Sequence, residues 1–210
     1  SAVLNGTTLR VIDGSSYSNV VDADFSDRGT LHVVTTATTV YGKKVVSVAA
    51  GMDHVLYLTE DGYVYASGSN SEGQLGIGNR SNSSDWVQVL RTDRSPVGAG
   101  LDMNGVRDQV VAIAAGGDVS MALTQNGLLY TWGQGDYGQM GDGTVYDRLY
   151  ATELSAKSNF YTPADQGETN VDQTKTTMDA NGVAMFAMNA EGEIYGWGNL
   201  KASAGNPGQL

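Results

Sequence analysis

The chain has 210 residues, of which 12 are basic and 23 acidic, so its formal net charge is −11. A surface of that sign repels nucleic-acid phosphates and argues against direct binding to DNA or RNA. The absence of cysteine excludes a disulfide framework, a thiolate nucleophile and a cysteine zinc site.

The residue pattern indicates short strands and tight turns. The chain holds 28 glycines against three prolines. Runs rich in Val, Thr and Tyr alternate with Gly, Asn, Asp and Ser, which predicts an all-β fold. No stretch approaches the roughly 18 consecutive apolar residues of a membrane helix. Residues 1–6 carry no basic or apolar signal region, so we expect no membrane insertion.

The N-terminal segment, residues 1–40, differs from the rest of the chain. Residues 24–34 read DFSDRGTLHVV, a strand, a turn at Gly29 and a second strand. This pattern predicts either a degenerate part of a four-stranded repeat unit, a partial propeller blade, or an attachment segment.

Two acidic stretches, DADFSDRG at 22–29 and GDGTVYD at 141–147, raise the question of calcium binding. An EF-hand loop that began with the first stretch would have Asp27 where it needs glycine and Val33 where it needs glutamate. We therefore favour turn-forming carboxylates on a solvated surface, with weak calcium binding left open. The carboxylates concerned are Asp22, Asp24, Asp27, Asp142 and Asp147.

The remainder of the chain repeats. Residues 45–78 align without a gap onto residues 110–143 at an offset of 65 residues, and the same offset leads to a third copy at 176–198. Asn181 replaces the first repeated glycine in the third copy, a change that a left-handed backbone would tolerate. The positions that recur are Gly51, Gly62, Tyr65, Gly68, Gly73, Gly76, Gly116, Gly127, Tyr130, Gly133, Gly138, Gly141, Gly192, Tyr195 and Gly198.

Each copy is predicted to hold four antiparallel strands, which is the composition of a propeller blade. A glycine turn separates the first two strands, and a polar turn ending in glycine at positive φ joins the second and third. The predicted strands are 45–49, 54–58, 63–66 and 86–90 in the first copy, 110–114, 120–123, 128–132 and 150–154 in the second, and 185–188 and 193–197 in the third.

The sequence therefore predicts an all-β, propeller-type repeat protein with about three blade-like, four-stranded repeats. Their approximate bounds are 41–105, 106–170 and 171–210, the last expected to be truncated because the given sequence stops at Gly208-Gln209-Leu210, in the middle of a repeat motif. The third copy also reaches this glycine later than its predecessors do, which predicts an insertion of five residues after Gly198.

The repeated residues resemble the regulator of chromosome condensation repeat family. That family's repeat has Ala-Gly, a strand opened by His, a polar-Gly turn, Val-Tyr-x-Trp-Gly and Gly-Gln-Leu-Gly. The first copy matches it at Ala50-Gly51, His54, Asp61-Gly62, Val64-Tyr65, Gly68 and residues 73–76; the second adds Trp132-Gly133 and residues 138–141.

The resemblance implies a wheel of about seven blades, for which this chain is too short. We therefore expect an incomplete or open wheel, a fragment of a longer polypeptide or a sheet edge covered by further copies or by another chain. The family's best-known activity is nucleotide exchange on the GTPase Ran, coupled to chromatin binding. The acidic charge, the lack of a basic tail and the few repeats speak against transferring it.

One stretch imitates a cofactor loop. Gly133, Gly135 and Gly138 have the spacing of a dinucleotide-binding fingerprint, and Glu153 lies where a ribose ligand would stand. That chemistry needs a helix to begin inside the loop, whereas the glycines that follow oppose a helix. We expect no cofactor, and the sister copy has Asn70 in place of Gly135.

The inventory of catalytic side chains is thin. The two histidines are His32, in the poorly matching segment, and His54, at the family's structural position. Asp53-His54 with a serine could form a hydrolase triad, but no G-x-S-x-G elbow accompanies it, and Val119 replaces His54 in the second copy. A structural histidine is the favoured interpretation.

The aromatic residues divide into two groups. Those at repeat positions, Tyr65, Tyr130, Tyr195, Trp132 and Trp197, are expected to pack between blades. Those in the stretches between the repeat cores are candidates for contact with a partner, because loops on a rigid scaffold carry binding residues. The candidates are Trp86, Tyr146, Tyr150, Phe160 and Tyr161.

These observations predict a non-catalytic protein-binding or structural module whose partner is a protein. Richness in Gly, Asn, Ser and Thr, with no cysteine, favours an adhesive domain of a bacterial surface, secreted or virion protein, so an extracellular, cell-surface or virion location is favoured over the cytoplasm. A fragment of a guanine-nucleotide exchange factor for a small GTPase is one alternative. An enzyme on a propeller scaffold is another.

Overall fold

The computed structural model describes residues 2–5, 8–11, 39–100, 107–154, 178–188 and 194–199. The chain forms two compact units, Ser1–Gly42 and Lys43–Leu210. The segments at 22–34 and 155–177 and the C-terminal residues 200–210 lie outside the described residues, as do Gly192, Phe160 and Tyr161.

The part of the first unit that the structure describes holds three short strands. β1 (Ala2–Asn5) and β2 (Thr8–Val11) pair as an antiparallel hairpin in which Leu4 lies opposite Leu9. β3 (Thr39–Val40) has two residues.

The described residues of the second unit form three antiparallel sheets, which we call blades 1, 2 and 3. In each blade, consecutive strands are hydrogen-bonded neighbours. Blade 1 holds β4 (Lys43–Ala50), β5 (His54–Thr59), β6 (Val64–Gly68) and β7 (Ser83–Gln88). Blade 2 holds β8 (Val110–Gly116), β9 (Val119–Thr124), β10 (Leu129–Gly133) and β11 (Arg148–Glu153). Blade 3 holds β12 (Met178–Ala180), β13 (Ala184–Met188) and β14 (Ile194–Gly198).

This arrangement confirms the predicted all-β repeat fold, and the sheets formed by the described residues do not close into a ring. The repeat extends to backbone detail. A β-bulge interrupts the pairing of the third and fourth strands between Ala66 and Gly68 in blade 1, and between Thr131 and Gly133 in blade 2. Gly62 and Gly127 have φ of 76° and 81°, which the hairpin turns require. None of the described residues forms a helix long and apolar enough to cross a membrane.

The core lies between blades. β9 is buried along its whole length because its two faces serve different neighbours. Ala122 belongs to the apolar cluster shared with blade 1, whereas Met121 and Leu123 belong to the cluster shared with blade 3. Alternation of side chains along a strand thus stitches three sheets into one unit.

A glycine at the end of the first strand of blades 1 and 2 allows close packing. Neither Gly51 nor Gly116 has positive φ, and Asn181 does not either. A Cβ on Gly116 would lie 2.0 Å from the carbonyl oxygen of Ala180 in the next blade, so only glycine fits. The expectation that Asn181 relies on a left-handed backbone is therefore wrong. Its side-chain oxygen accepts a hydrogen bond from the Ala184 amide at 2.9 Å instead.

Candidate interaction surface

One edge of the blades gathers the turns and loops that carry candidate site residues. Because strands alternate in direction, the turn after the first strand and the loop after the third leave each sheet at the same edge. Backbone bonds hold these segments together: the Met52 amide donates to the Gly117 carbonyl at 2.9 Å, and the Gln134 amide to the Asp118 carbonyl at 3.0 Å. We call this edge the loop face; it comprises residues 51–53, 69–82, 117–118, 134–147 and 181–183.

A buried glutamine fastens each long loop to the next blade. The side-chain nitrogen of Gln74, Nε2, donates to Asp118 Oδ1 at 2.7 Å. Its side-chain oxygen, Oε1, accepts from the backbone amide of Glu72 at 3.0 Å. Gln139 repeats the pattern, with its oxygen on the Tyr137 amide at 2.7 Å and its nitrogen 3.4 Å from a blade 3 carbonyl. Both side chains are fully buried, so the loops are bound to the core rather than lying over it.

A tryptophan of each following blade reaches back to the same glutamine. The Trp132 indole donates to the backbone carbonyl of Gln74 at 2.8 Å, and the Trp197 indole donates to the backbone carbonyl of Gln139 at 2.7 Å. A Cβ on Gly76 or on Gly141 would lie 2.9 Å from the respective indole nitrogen. The repeated glycines of these turns therefore leave room for the indole.

Blades 1 and 2 also share a buried histidine–serine pair. His54 Nε2 lies 2.8 Å from Ser120 Oγ, which donates its one proton to the Gln74 carbonyl at 2.9 Å. Nε2 must then carry the ring proton, and Nδ1 is buried without a hydrogen-bond partner. Desolvation, opposed by the Asp53 carboxylate, lowers the pKa of His54 to about 4. Because Ser120 is fully buried and its proton is engaged, the pair holds the blades together and offers no nucleophile.

The loop with the fingerprint spacing has no helix. Among the described residues, the chain runs from Gly133 through turns and bends to β11 at Arg148. A Cβ on Gly135 would lie 2.2 Å from the Tyr146 carbonyl oxygen, so the loop itself occupies the space above this glycine. Glu153 lies opposite Tyr130 in the strand ladder. The geometry thus lacks the helix N-terminus that binds a pyrophosphate.

Three large apolar side chains of this loop are exposed to water. They are Tyr137, Val145 and Tyr146, with 54%, 58% and 69% of their surface accessible. The loop doubles back on itself: a Cβ on Gly138 would lie 3.9 Å from the Thr144 carbonyl, which brings the segment around Tyr137 beside Val145. Tyr137 thus lies on one arm of the loop and Val145 and Tyr146 on the other, and we call these three exposed side chains the blade 2 patch.

Ion pairs and capping bonds hold the blade 2 patch in place. Arg148 pairs with Asp142 at the base of the loop, and Arg80 of the neighbouring loop pairs with Asp147 at 2.6 Å. Asp147 also accepts a bond from the Gly135 amide at 2.9 Å. Partial burial alone would raise the pKa of Asp142, but hydrogen bonds from Thr144 and Arg148 hold that pKa below its usual value. The loop is therefore fixed before any partner arrives.

The residues singled out from sequence occupy different environments. Tyr146 lies in the blade 2 patch. Trp86 is half-buried and packs on Tyr57, with ring centroids 5.5 Å apart. Tyr150 is half-buried beneath Gly78, where a Cβ would lie 2.2 Å from its ring. Among the described residues, no group of three acidic or histidine side chains could hold a metal, and Asp142 and Asp147 each pair with an arginine.

Sequence reasoning missed Tyr137 and Val145, although the repeat carried a signal. At the offset of 65 residues, Tyr137, Val145 and Tyr146 stand where the first copy has Glu72, Arg80 and Ser81. The two loops share an equivalent hydrogen bond, because Asn82 accepts from the Asn70 backbone amide as Asp147 accepts from the Gly135 backbone amide. Exposed positions that are polar in one copy and apolar in the other therefore mark the second loop as specialised.

Comparison with known families matches the repeat cores. Two models described as the regulator of chromosome condensation (RCC1) repeat match residues 45–74 and 110–139, and residues 61–123 and 126–159.

Among individual proteins, the chain is similar to the ultraviolet-B receptor UVR8 of Arabidopsis thaliana, with 31% identity over 157 residues, 75% of this chain and 30% of that protein. It is also similar to the protein RCC2 homolog of Xenopus laevis, with 39% identity over 55% of this chain and 21% of that protein. The human RCC1-like G exchanging factor-like protein is 30% identical over 74% of this chain and 28% of its own length.

A solved structure, that of human WBSCR16, superimposes with a TM-score of 0.55 and 25% identity, covering 75% of this chain and 33% of that one. The chain spans less than a third of the length of these curated relatives.

Proposed function

The chain belongs to the regulator of chromosome condensation repeat family, and on that premise we propose that it is a protein-binding module that holds its partner on the loop face and performs no catalysis itself. The observation that carries the proposal is the blade 2 patch, three apolar side chains kept in water on a fastened loop. Binding residues concentrate on loops of rigid scaffolds, and a preformed loop loses little entropy on binding.

The burial of the only described serine–histidine pair supports a role without catalysis. Its atoms face the packed junction of two blades, where no substrate reaches them. A buried pair that is satisfied by a backbone carbonyl stabilises structure.

A display library of random 15-residue segments, panned on the intact chain, tests the proposal. We expect enriched segments whose binding is lost on the Y137S/Y146S variant and retained on Y41S, a matched control in which Tyr41 is 74% exposed and lies outside the loop face. Enriched segments that ignore the blade 2 patch would contradict the proposal. Thermal unfolding of each variant verifies that the fold is intact.

The adhesive role in a bacterial surface, secreted or virion protein remains a proposal that rests on composition alone. Its test is the location of the native protein in its own source. Recovery with envelope, secreted or particle fractions would support it, and recovery with a nuclear or cytosolic regulatory complex would reject it.

The exchange-factor alternative is suggested by the name of the human relative. It predicts faster release of labelled GDP from a small GTPase when the chain is added. Unchanged release of GDP across a panel of GTPases would reject this alternative. The assay tests the exchange-factor alternative only.

Further blades supplied by another copy or another chain remain a proposal as well, and blade 1 carries the surface concerned. Val48 is 58% exposed, whereas Ile113, its counterpart in blade 2, is 8% exposed against blade 1. Ser67 stands at the position of Trp132, so a blade seated here would find no indole. The oligomeric state of the intact protein by native mass spectrometry tests whether a second chain covers this face.

A further inference from the structure

We propose that the partner bound by the blade 2 patch is a flexible, cationic protein segment that carries an apolar side chain between lysines or arginines. This inference rests on the proposed function and names the chemistry of its partner. It follows from the shape of the patch, from its rigidity and from the charge that surrounds it.

The apolar part of the recognition comes from the paired sides of one loop. Tyr137 stands on one arm, and Val145 and Tyr146 stand on the other, with the glycine-rich bend 141–143 between the arms. Tyrosines with exposed rings contribute contact area at a small entropic cost, since only two side-chain torsions are fixed on binding. A patch of three side chains is large enough to seat one or two apolar residues of a peptide.

The charge around the blade 2 patch is negative and is only partly neutralised by neighbouring arginines. Within the loop face, together with Arg148 at its border, the described residues provide six carboxylates and two guanidinium groups. Both arginines are already engaged, Arg80 with Glu72 and Asp147, and Arg148 with Asp142. The carboxylates are Asp53, Glu72, Asp118, Asp136, Asp142 and Asp147.

The opposite edge of the blades differs. There, three cations balance three carboxylates, namely Lys43, Lys44 and Arg107 against Glu60, Asp61 and Asp108. Lys43 pairs with Asp61 at 3.5 Å, and Arg107 donates to the Asp61 carbonyl and lies 4.6 Å from the centre of the Tyr63 ring. The loop face therefore has the field that attracts cations, and it is the edge with the apolar patch.

Asp136 fixes where a cation would lie. It directly precedes Tyr137, is exposed, and has Gln134 as its hydrogen-bond partner at 3.2 Å. A lysine or arginine of the partner would meet this carboxylate while a neighbouring apolar side chain covers the Tyr137 ring. The combination of an aromatic ring and an adjacent carboxylate also accommodates a guanidinium group by stacking.

Within the described residues, blade 1 does not repeat the site of the second loop. Blade 1 has Glu72, Arg80 and Ser81 at the corresponding positions, so its loop lacks the apolar side chains of the blade 2 patch. We therefore expect no second site for the peptide on blade 1.

Fluorescence anisotropy with four labelled 14-residue probes on the intact chain tests the proposal. The first probe holds four lysines and two leucines in a Gly-Ser background; the others replace Lys by Glu, Leu by Ser, or both. We expect the Lys–Leu probe to bind at least about tenfold more tightly than the Lys–Ser or Glu–Leu probe, and to weaken as salt rises from 50 to 300 mM because exposed charges are screened.

Variants assign the two contributions. We expect Y137S/Y146S to lower the affinity for the Lys–Leu probe by about tenfold and D136N to reduce the salt dependence of that affinity. We expect Y41S to leave both the affinity and its salt dependence unchanged. Equal binding of the Lys–Leu and Glu–Leu probes, or equal loss in Y41S and Y137S/Y146S, overturns the inference. If panning yields segments that depend on the blade 2 patch but carry no excess of Lys and Arg, the inference fails while the proposed function stands.

Discussion

The junction between blades 1 and 2 and the junction between blades 2 and 3 are built on one plan and differ in one buried pair. In both, an indole donates to a glutamine carbonyl of the preceding blade. The first junction adds His54 and Ser120; the second has Val119 and Met185 at those two positions, within one apolar cluster.

The difference teaches which contact defines the joint. A polar pair satisfied by a carbonyl and an apolar pair filling the same place both leave the indole bond intact, so this bond sets the position of one blade on the next. The pair beside it sets how the stability of the junction responds to pH. Protonation of a buried imidazole destabilises the fold, whereas an apolar pair has no group that titrates.

The largest effect is expected from removing an indole. Trp132 is fully buried, and Trp132→Ala removes its packing and its bond to Gln74, which costs about 3 to 5 kcal/mol of unfolding free energy. Trp197 is half-buried, so Trp197→Ala should cost less. Urea unfolding of both variants measures the difference, and an equal loss in the two would show that the junctions do not differ in packing.

The second-largest effect is expected from pH, which should destabilise the first junction and leave the second unchanged. His54 has a pKa of about 4 when folded and an ordinary value of 6.5, so the unfolded chain binds the proton first as the pH falls. Its contribution is intact above pH 6.5 and declines as the pH falls toward 4, by about 2 kcal/mol at pH 5. The decline measured in wild type minus that in His54→Val isolates this residue. Identical pH profiles of the two proteins would reject it.

A double-mutant cycle on the same pair should give a smaller value. Ser120→Ala leaves His54 Nε2 buried without its partner, whereas His54→Val leaves Ser120 bonded to the Gln74 carbonyl. The combined variant should therefore lose less than the sum of the single losses, with a coupling energy of about 1 kcal/mol. Additive losses would mean that the pair does not act as a unit. Val119→Ala and Met185→Ala supply the apolar cycle for comparison.

The smallest effect on stability is expected away from both junctions. Tyr137 and Tyr146 are exposed, so Y137S/Y146S should change the unfolding free energy by less than about 0.5 kcal/mol. Thermal unfolding checks this value. A larger loss would mean that the blade 2 patch supports the fold, which would weaken its assignment as a binding surface.

The strands and hairpins could be predicted from sequence because their signals are local. The apolar runs place the strands to within a few residues, and Gly62 and Gly127 mark turns that need positive φ. Gly116 could not be interpreted in this way, because the atom that excludes a side chain belongs to Ala180 in another blade. A one-dimensional pattern contains the glycine but not the reason for it.

The site was harder to predict for the same physical cause. His54 meets Ser120, and Gln74 meets Asp118, only after two sheets have been stacked. Tyr146 is a candidate from sequence because it lies in a stretch between repeat cores, yet its exposure depends on how the loop folds back. Comparing the two copies position by position would have identified both residues.

The indole bond has a consequence for how such a chain lengthens. Within residues 110–154, one unit carries both halves of a joint: Trp132, which reaches the unit before it, and Gln139, whose carbonyl receives the unit after it. A duplicated copy of this stretch would arrive with donor and acceptor already matched to its neighbours, so a gene could add a blade without inventing a new interface. Blade 1 has the acceptor at Gln74 but Ser67 in place of the donor, and a duplicate of it would leave one joint without an indole.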